Sequence, residues 1–203
     1  MWRQRPSQAT PRYRQSSCCG LNVLDATRRD NNGFMIRLET VLDSWKTVRE
    51  DTAQAVEDFP GDDLDFKPLA DVSSFREIAR HILDAGYALS GIMLDGVDNL
   101  AVPEFRQMIG KYAAQLPPTP DAASLGKQLR ATVERRTAEL AAQPAGFFAQ
   151  EITRFDGQKV TRLEMLQGIK EHELTHRSQL FMYLRMKGVV PATTRRRMAK
   201  AKA

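Results

Sequence analysis

The sequence predicts an all-α protein, specifically a four-helix bundle with a short extra helix and a small hairpin or ordered loop before the last long helix. From residue 34 onward, apolar residues recur at helical spacing in four long segments. Capping and turn signals separate these segments. The chain has 203 residues and is 42% hydrophobic, which is enough for one domain with a sizeable core.

The first two long helices are predicted before residue 95. The first ends near Phe59, where Pro60 and Gly61 follow. Its apolar stripe is Leu38, Val41, Leu42, Trp45, Val48, Thr52 and Val56. Ser74 and Glu77 form a capping-box pattern that predicts the start of the second helix. Its stripe is Phe75, Ile78, Ile82, Ala85, Leu89 and Ile92.

The second half of the chain completes the bundle. Residues 103–115 are predicted to form the short extra helix, and the stretch LPPTP then interrupts the chain before Asp121 caps the third long helix. In EITRFDGQKVT, an Asp-Gly pair between β-prone residues predicts the hairpin or ordered loop. Thr161 and Glu164 form a second capping box, and the fourth helix is expected to run to Lys187, before Gly188.

Charge is concentrated at the two termini. Residues 1–33 carry six Arg and two Asp, and residues 191–203 carry five Lys or Arg and no acid, so the intervening segment is mildly acidic although the formal net charge is +5. We therefore expect a disordered basic leader at 1–33, the bundle at 34–190 and a basic, solvated tail at 191–203. An acidic central segment argues against a specific nucleic-acid partner.

The apolar content of residues 1–33 helps to predict the cellular compartment of the protein. This leader lacks the apolar run of a signal peptide, and no segment approaches the length of a membrane-spanning helix, so we expect a cytoplasmic protein with no membrane partner. The only cysteines, Cys18 and Cys19, are adjacent, which excludes a disulfide framework.

Residues 172–176 read HELTH, an H-E-x-x-H pattern that is typical of zinc peptidases. Such a peptidase needs a third ligand further along the chain, either a Glu or a His. After this motif the chain contains no Asp, Glu or His. The peptidase hypothesis therefore fails on ligand count.

A different metal site remains open, because the chain has three histidines. His172 and His176 are four residues apart on one helical face, so both imidazoles can reach one ion. His81 lies at the edge of the apolar stripe of the second long helix, and we expect it to face inward. If these helices are neighbours, the three rings form a His₃ site with one open coordination position.

The same residues resemble a known family. A His in the second long helix, then D-G before T-x-x-E-M-L, then H-x-x-x-H-R-S-Q-L-x-x-Y-L-R-x-x-G-x-x-P, together resemble the DinB/YfiT-like metal-dependent four-helix bundles over about residues 34–191. The resemblance implies a divalent metal, often nickel or zinc, on the three histidines. It also implies a homodimer and, in some members, thiol transfer or isomerisation with a low-molecular-weight thiol. Two positions depart from the family pattern: Ser178 replaces a usual Gly, and Thr175 replaces a frequent His.

Several other residues near the motif are candidates for a role at the site. Glu173 could act as a general base, but an ion pair with Arg177 four residues later is favoured. Arg177 is alternatively a ligand for a carboxylate of the thiol. Gln179 and Tyr183 are candidate cofactor-binding residues. Two more candidates lie on the second long helix: Tyr87 as a pocket residue and Asp84 as a hydrogen-bond acceptor for a ligand imidazole.

Three functions therefore stay open for a small-molecule substrate. The first is a metal-dependent transferase or isomerase that uses a thiol, the second is a metal-dependent hydrolase, and the third is a non-enzymatic, metal-stabilised bundle that dimerises. A coordination position open to a pocket favours either enzyme. A site sealed by apolar side chains favours the third function.

Overall fold

The computed structural model describes residues 37–201. The expected leader at 1–33, with Cys18 and Cys19, lies outside the described residues and stays a prediction. Within the described part, four long helices form a bundle, which confirms the fold class. They are α1 (Leu38–Glu57), α2 (Phe75–Leu94), α4 (Ala122–Ala141) and α6 (Arg162–Met186).

The capping patterns begin the helices as the sequence predicts. The Ser74 hydroxyl accepts a hydrogen bond from the Glu77 backbone N–H at 3.2 Å, and the Glu77 carboxylate accepts one from the Ser74 N–H at 2.6 Å. Thr161 and Glu164 make the same reciprocal pair at the start of α6. These side chains satisfy backbone donors that have no partner inside the helix. They therefore fix where α2 and α6 begin. The position of each helix start determines how far along the helix its histidines lie.

The four long helices form a ring in which α1 packs on α4 and α6, and α2 packs on the same two helices. Two apolar clusters fill the interior, one around Phe75 and Leu83 and the other around Trp45 and Ile92. Because α2 and α6 are neighbours, residues on their shared edge can meet.

Smaller elements surround the bundle. The predicted extra helix is α3 (Phe105–Tyr112), which packs on α2. The predicted hairpin consists of β1 (Glu151–Thr153) and β2 (Lys159–Thr161), which are antiparallel. Gly157 in its turn has φ 81°, a left-handed conformation that favours glycine. A short helix, α5 (Ala145–Ala149), was not predicted.

The basic C-terminal segment is more ordered than the expected tail. Residues Ala192–Lys200 form α7, which lies against α1. Arg195 contacts Asp58 at 2.7 Å, and Arg196 pairs with Asp51. Asp51 on α1 and Asp58 directly after it thus pair with two arginines of the segment that the sequence predicts to be solvated. None of the helices in residues 37–201 is long and apolar enough to cross a membrane.

Candidate metal centre

The three histidines meet on the seam between α2 and α6. The Nε2 atom of His172 lies 3.0 Å from Nε2 of His81 and 3.2 Å from Nε2 of His176. Their possible ligand atoms all lie within 4.8 Å of one another. The structure therefore brings together the three histidines that the sequence indicates, with their ring centres 4.5–4.9 Å apart.

These separations suit a common metal ion. Zinc–nitrogen bonds of about 2.0–2.1 Å place two ligand nitrogens about 3.3 Å apart at a tetrahedral angle and about 2.9 Å apart at a right angle. The observed distances, 3.0 and 3.2 Å, lie between these values. Three imidazoles are also a donor set that nickel and zinc accept. The residues present thus fit a divalent transition metal.

The cluster lies closer to the surface than expected. His81 is exposed, and His172 and His176 are half-buried. The inward orientation predicted for His81 is wrong, because Ile78 and Ile82 take the buried face of α2 and turn the ring towards the outer seam. Solvent and small molecules can therefore reach the site.

Burial and mutual repulsion keep two of the rings uncharged near neutral pH. Desolvation, followed by the neighbouring His176 and His81, lowers the pKa of His172 to about 4. Desolvation and His176 also lower the pKa of His81, while Asp84 acts in the opposite direction. Neutral imidazole is the form that binds metal, so at pH 7 these two rings need not lose a proton first.

Gln179 holds one ligand in the required orientation. Its side-chain oxygen lies 2.7 Å from Nδ1 of His176. A carbonyl oxygen can only accept, so Nδ1 carries the hydrogen and the Nε2 lone pair faces the cluster. Metal-binding histidines commonly have such a partner. Gln179, predicted as a cofactor-binding residue, thus contacts a metal-ligand candidate.

We expect Gln179→Leu to weaken metal affinity about 10–100-fold, because the imidazole of His176 loses its orienting acceptor. Competition with a chelator of known affinity measures the change in dissociation constant. Ser178→Ala is the matched control, since Ser178 is exposed and its hydroxyl donates to the Leu174 carbonyl of the same helix. Equal affinities for Gln179→Leu and wild type would show that the contact does not support the metal site.

Glu173 points away from the histidines, into the interface between α6 and α1. Its carboxylate accepts hydrogen bonds from Trp45 Nε1 at 2.9 Å, Arg49 Nε at 3.0 Å and Thr52 Oγ1 at 2.8 Å. Only 2% of its side chain is exposed, and 1% of that of Arg49. The predicted Glu173–Arg177 ion pair is therefore wrong. A general-base role at the cluster is also excluded, because the carboxylate is enclosed on the other face of α6.

Two further candidates, Arg177 and Asp84, have partners other than those expected. Arg177 contacts Asp51 of α1 at 3.4 Å and lines no cavity at the histidines, so it is not positioned to bind a thiol carboxylate there. Asp84 accepts from the Ala114 N–H at 3.1 Å and pairs with Arg80, so no imidazole is its hydrogen-bond partner in the described chain. In both cases the side chain is already bonded to a group outside the histidine cluster.

Tyr87 belongs to a separate cavity of about 610 Å³ between α2, α3 and α4. The guanidinium of Arg136 lies 4.0 Å from the centre of its ring. This cavity is larger than those at the histidines, but none of its lining residues belongs to the cluster. We therefore exclude Tyr87 from the site.

Two cavities adjoin the cluster and share His81. One, of about 360 Å³, lies on the side of His172, and its wall is mostly apolar. The other, of about 370 Å³, lies on the side of His176 and includes Gln179 and Tyr183. The Tyr183 hydroxyl donates to the Ser73 carbonyl at 3.0 Å. The sequence indicates His81, Asp84 and His172 for the first cavity but not its lining residues from α3 and the hairpin turn, because those elements are distant from the histidines in sequence.

The two departures from the family pattern have local consequences. Thr175 is exposed, and its hydroxyl donates to the Glu171 carbonyl at 3.0 Å. Ser178 makes the equivalent bond to Leu174. Neither lines the two cavities at the histidines.

Comparison with known proteins identifies relatives of this fold. The family model described as the DinB superfamily matches residues 44–180. No curated protein matches the chain. Among solved structures, a DinB-like protein from Bacillus subtilis is 25% identical, with a TM-score of 0.58, over 73% of this chain and 92% of that chain.

Two more distant structures share the fold. YfiT from Bacillus subtilis is described as a probable metal-dependent hydrolase with an unusual four-helix bundle topology. It is 16% identical, with a TM-score of 0.57, over 77% of this chain and 92% of that chain. A mycothiol-dependent maleylpyruvate isomerase is 14% identical, with a TM-score of 0.54, over 71% of this chain and 61% of that chain.

Proposed function

Because the chain belongs to the DinB superfamily, we propose that it is a metal-dependent enzyme whose His81, His172 and His176 hold one divalent ion, nickel or zinc. The observation that carries the proposal is the convergence of three imidazoles at an exposed seam with a cavity on each side. Three neutral protein ligands leave a coordination position for a substrate.

We propose thiol transfer or isomerisation as the reaction. A bound divalent ion lowers the pKa of a coordinating thiol and so supplies a thiolate near neutral pH. The chain then has to bind a thiol and an electrophile next to each other. Two cavities that meet at His81 provide two such places.

The cavity on the His176 side suits the low-molecular-weight thiol. Such thiols carry amide, hydroxyl or carboxylate groups, and this cavity offers Gln179, Tyr183, Ser73 and Glu77 as polar lining residues. Gln179 keeps His176 oriented at the same time. We assign Gln179 and Tyr183 to thiol binding on this basis.

A metal-dependent hydrolase is the second candidate, supported by the description of YfiT. This function needs no thiol, but it is assisted by a general base, for which a carboxylate is one of the suitable groups. The carboxylates that line the two cavities are Asp84 and Glu77, and each is already bonded: Asp84 to Ala114 and Arg80, Glu77 to Ser74 and Lys67. This arrangement favours the thiol reaction. The exposure of His81 argues against a sealed, purely structural metal site.

We expect the metal-loaded protein to consume a thiol when it is given an electrophile. The experiment offers glutathione, mycothiol and bacillithiol separately, with water as the competing nucleophile, to a panel of activated small electrophiles and follows both the thiol and the product. The metal-free protein is the control. Product that forms equally fast without any thiol would establish hydrolysis, and no metal-dependent turnover in any mixture would contradict an enzymatic role.

A further inference from the structure

The cavity on the His172 side has a composition that defines what it can bind. It lies between α2, α3 and the β1–β2 turn, and its volume is about 360 Å³, which is in the size range of small-molecule sites. His81 and His172 belong to its lining. The rest of the wall is mainly carbon, contributed by Ala85, Leu89, Phe105, Ile109 and Phe155.

Two phenylalanines build the outer wall. Phe105 at the start of α3 and Phe155 in the hairpin turn stack with their ring centres 5.6 Å apart and an angle of 24° between the rings. Phe155 is nevertheless 54% exposed, so its ring is accessible to a ligand from outside. An aromatic wall next to an apolar cavity provides the contacts that a flat, apolar ligand prefers.

The charge at this cavity comes from Arg106. It is exposed at the cavity and, among residues 37–201, makes no salt bridge. The other charged residue of the lining is Asp84, whose carboxylate is engaged by Arg80 and the Ala114 N–H. The guanidinium of Arg106 is thus the group available for an ionic ligand, and its planar donors match a carboxylate.

We infer that this cavity binds the electrophilic substrate and selects molecules that join a flat, apolar body to a carboxylate. The apolar body lies along Phe105, Ile109 and Leu89, the carboxylate meets Arg106, and the other end of the molecule reaches His81 and His172. This inference rests on the proposed function, which it deepens by giving the class of substrate. It assigns the thiol to the opposite cavity.

Binding rather than turnover tests the inference. Titration calorimetry with the zinc-loaded protein compares 3-phenylpropionate, the uncharged 3-phenylpropanol and phenyl phosphate. We expect the carboxylate to bind at least about tenfold more tightly than the alcohol, since a two-pronged hydrogen bond between charged groups is stronger than one to a neutral hydroxyl. Arg106→Gln should remove this difference and leave binding of the alcohol unchanged. Ile109→Trp, which fills the cavity, should remove binding of both.

Lys111→Gln is the matched control, because Lys111 lies on the same short helix but lines the separate cavity that contains Tyr87. Equal binding of carboxylate and alcohol, tighter binding of phenyl phosphate, no binding of any probe, or an unchanged carboxylate affinity in Arg106→Gln would each overturn the inference. The same titrations on metal-free protein separate it from the proposed function. If the metal-free protein also prefers the carboxylate to the alcohol, and this preference depends on Arg106, the cavity is a carboxylate-binding site even if the protein shows no turnover.

Discussion

His172→Ala is expected to abolish stable metal binding. The Nε2 atom of His172 lies 3.0 Å from that of His81 and 3.2 Å from that of His176, so its loss removes one of three ligands and leaves two histidines on different helices. Loss of an orienting partner alone costs about 10–100-fold in affinity, and loss of a direct ligand should exceed that range. Elemental analysis after purification with zinc or nickel present measures the metal content directly.

Thr175→Ala is the control for this experiment, because Thr175 is exposed on the same helix between the two histidines. It should keep about one equivalent of metal per chain. His81→Ala and His176→Ala should both behave like His172→Ala. If wild type and His172→Ala carry equally negligible metal, the cluster is not a metal site.

Helix boundaries were predictable because their causes are local. Ser74 with Glu77, Thr161 with Glu164, and Asp121 with the Ser124 N–H all make their bonds within three residues. Sequence spacing alone defines such contacts, so three of the four long helices, α2, α4 and α6, begin where the capping residues indicate. The same holds for His172 and His176, whose shared face follows from one turn of helix.

The partners of Glu173 could not be predicted in this way. Arg177 was favoured because it is the nearest cation along the helix, whereas the actual partner, Arg49, is 124 residues away in sequence. A helix advances about 100° per residue, so Glu173 necessarily leaves the face of His172. Glu173 lies on the face of α6 that is covered by α1, and Trp45, Arg49 and Thr52 of α1 donate hydrogen bonds to its carboxylate. Only packing of the helices decides between these two partners.

The position of α7 has a similar explanation. Asp51 and Asp58 are seven residues apart and so lie on one face of α1 or just beyond its end, where Arg195 and Arg196 reach them. The C-terminal arginines are a charge run in the sequence, which is usually solvated. Here Arg195 and Arg196 instead form ion pairs with Asp58 and Asp51.

Glu173→Gln is expected to destabilise the fold strongly while leaving the metal site chemically complete. The substitution keeps the shape of the side chain but leaves the buried guanidinium of Arg49, whose side chain is 1% exposed, without a counter-charge. Removing one partner of a buried ion pair costs about 3–5 kcal/mol. Denaturant unfolding should show this loss, and the folded fraction should still bind one equivalent of zinc or nickel and keep most of its activity.

Glu171→Gln provides the matched control, since Glu171 is exposed two residues away on α6 and its carboxylate accepts a hydrogen bond from the Gln167 side chain. It should unfold like the wild type. The double variant Arg49→Met with Glu173→Gln should lose less stability than Glu173→Gln alone, because no unpaired charge stays buried. A Glu173→Gln protein with wild-type stability and full metal content but about a hundredfold lower turnover would instead show that Glu173 acts as a general base, as H-E-x-x-H suggests in zinc peptidases.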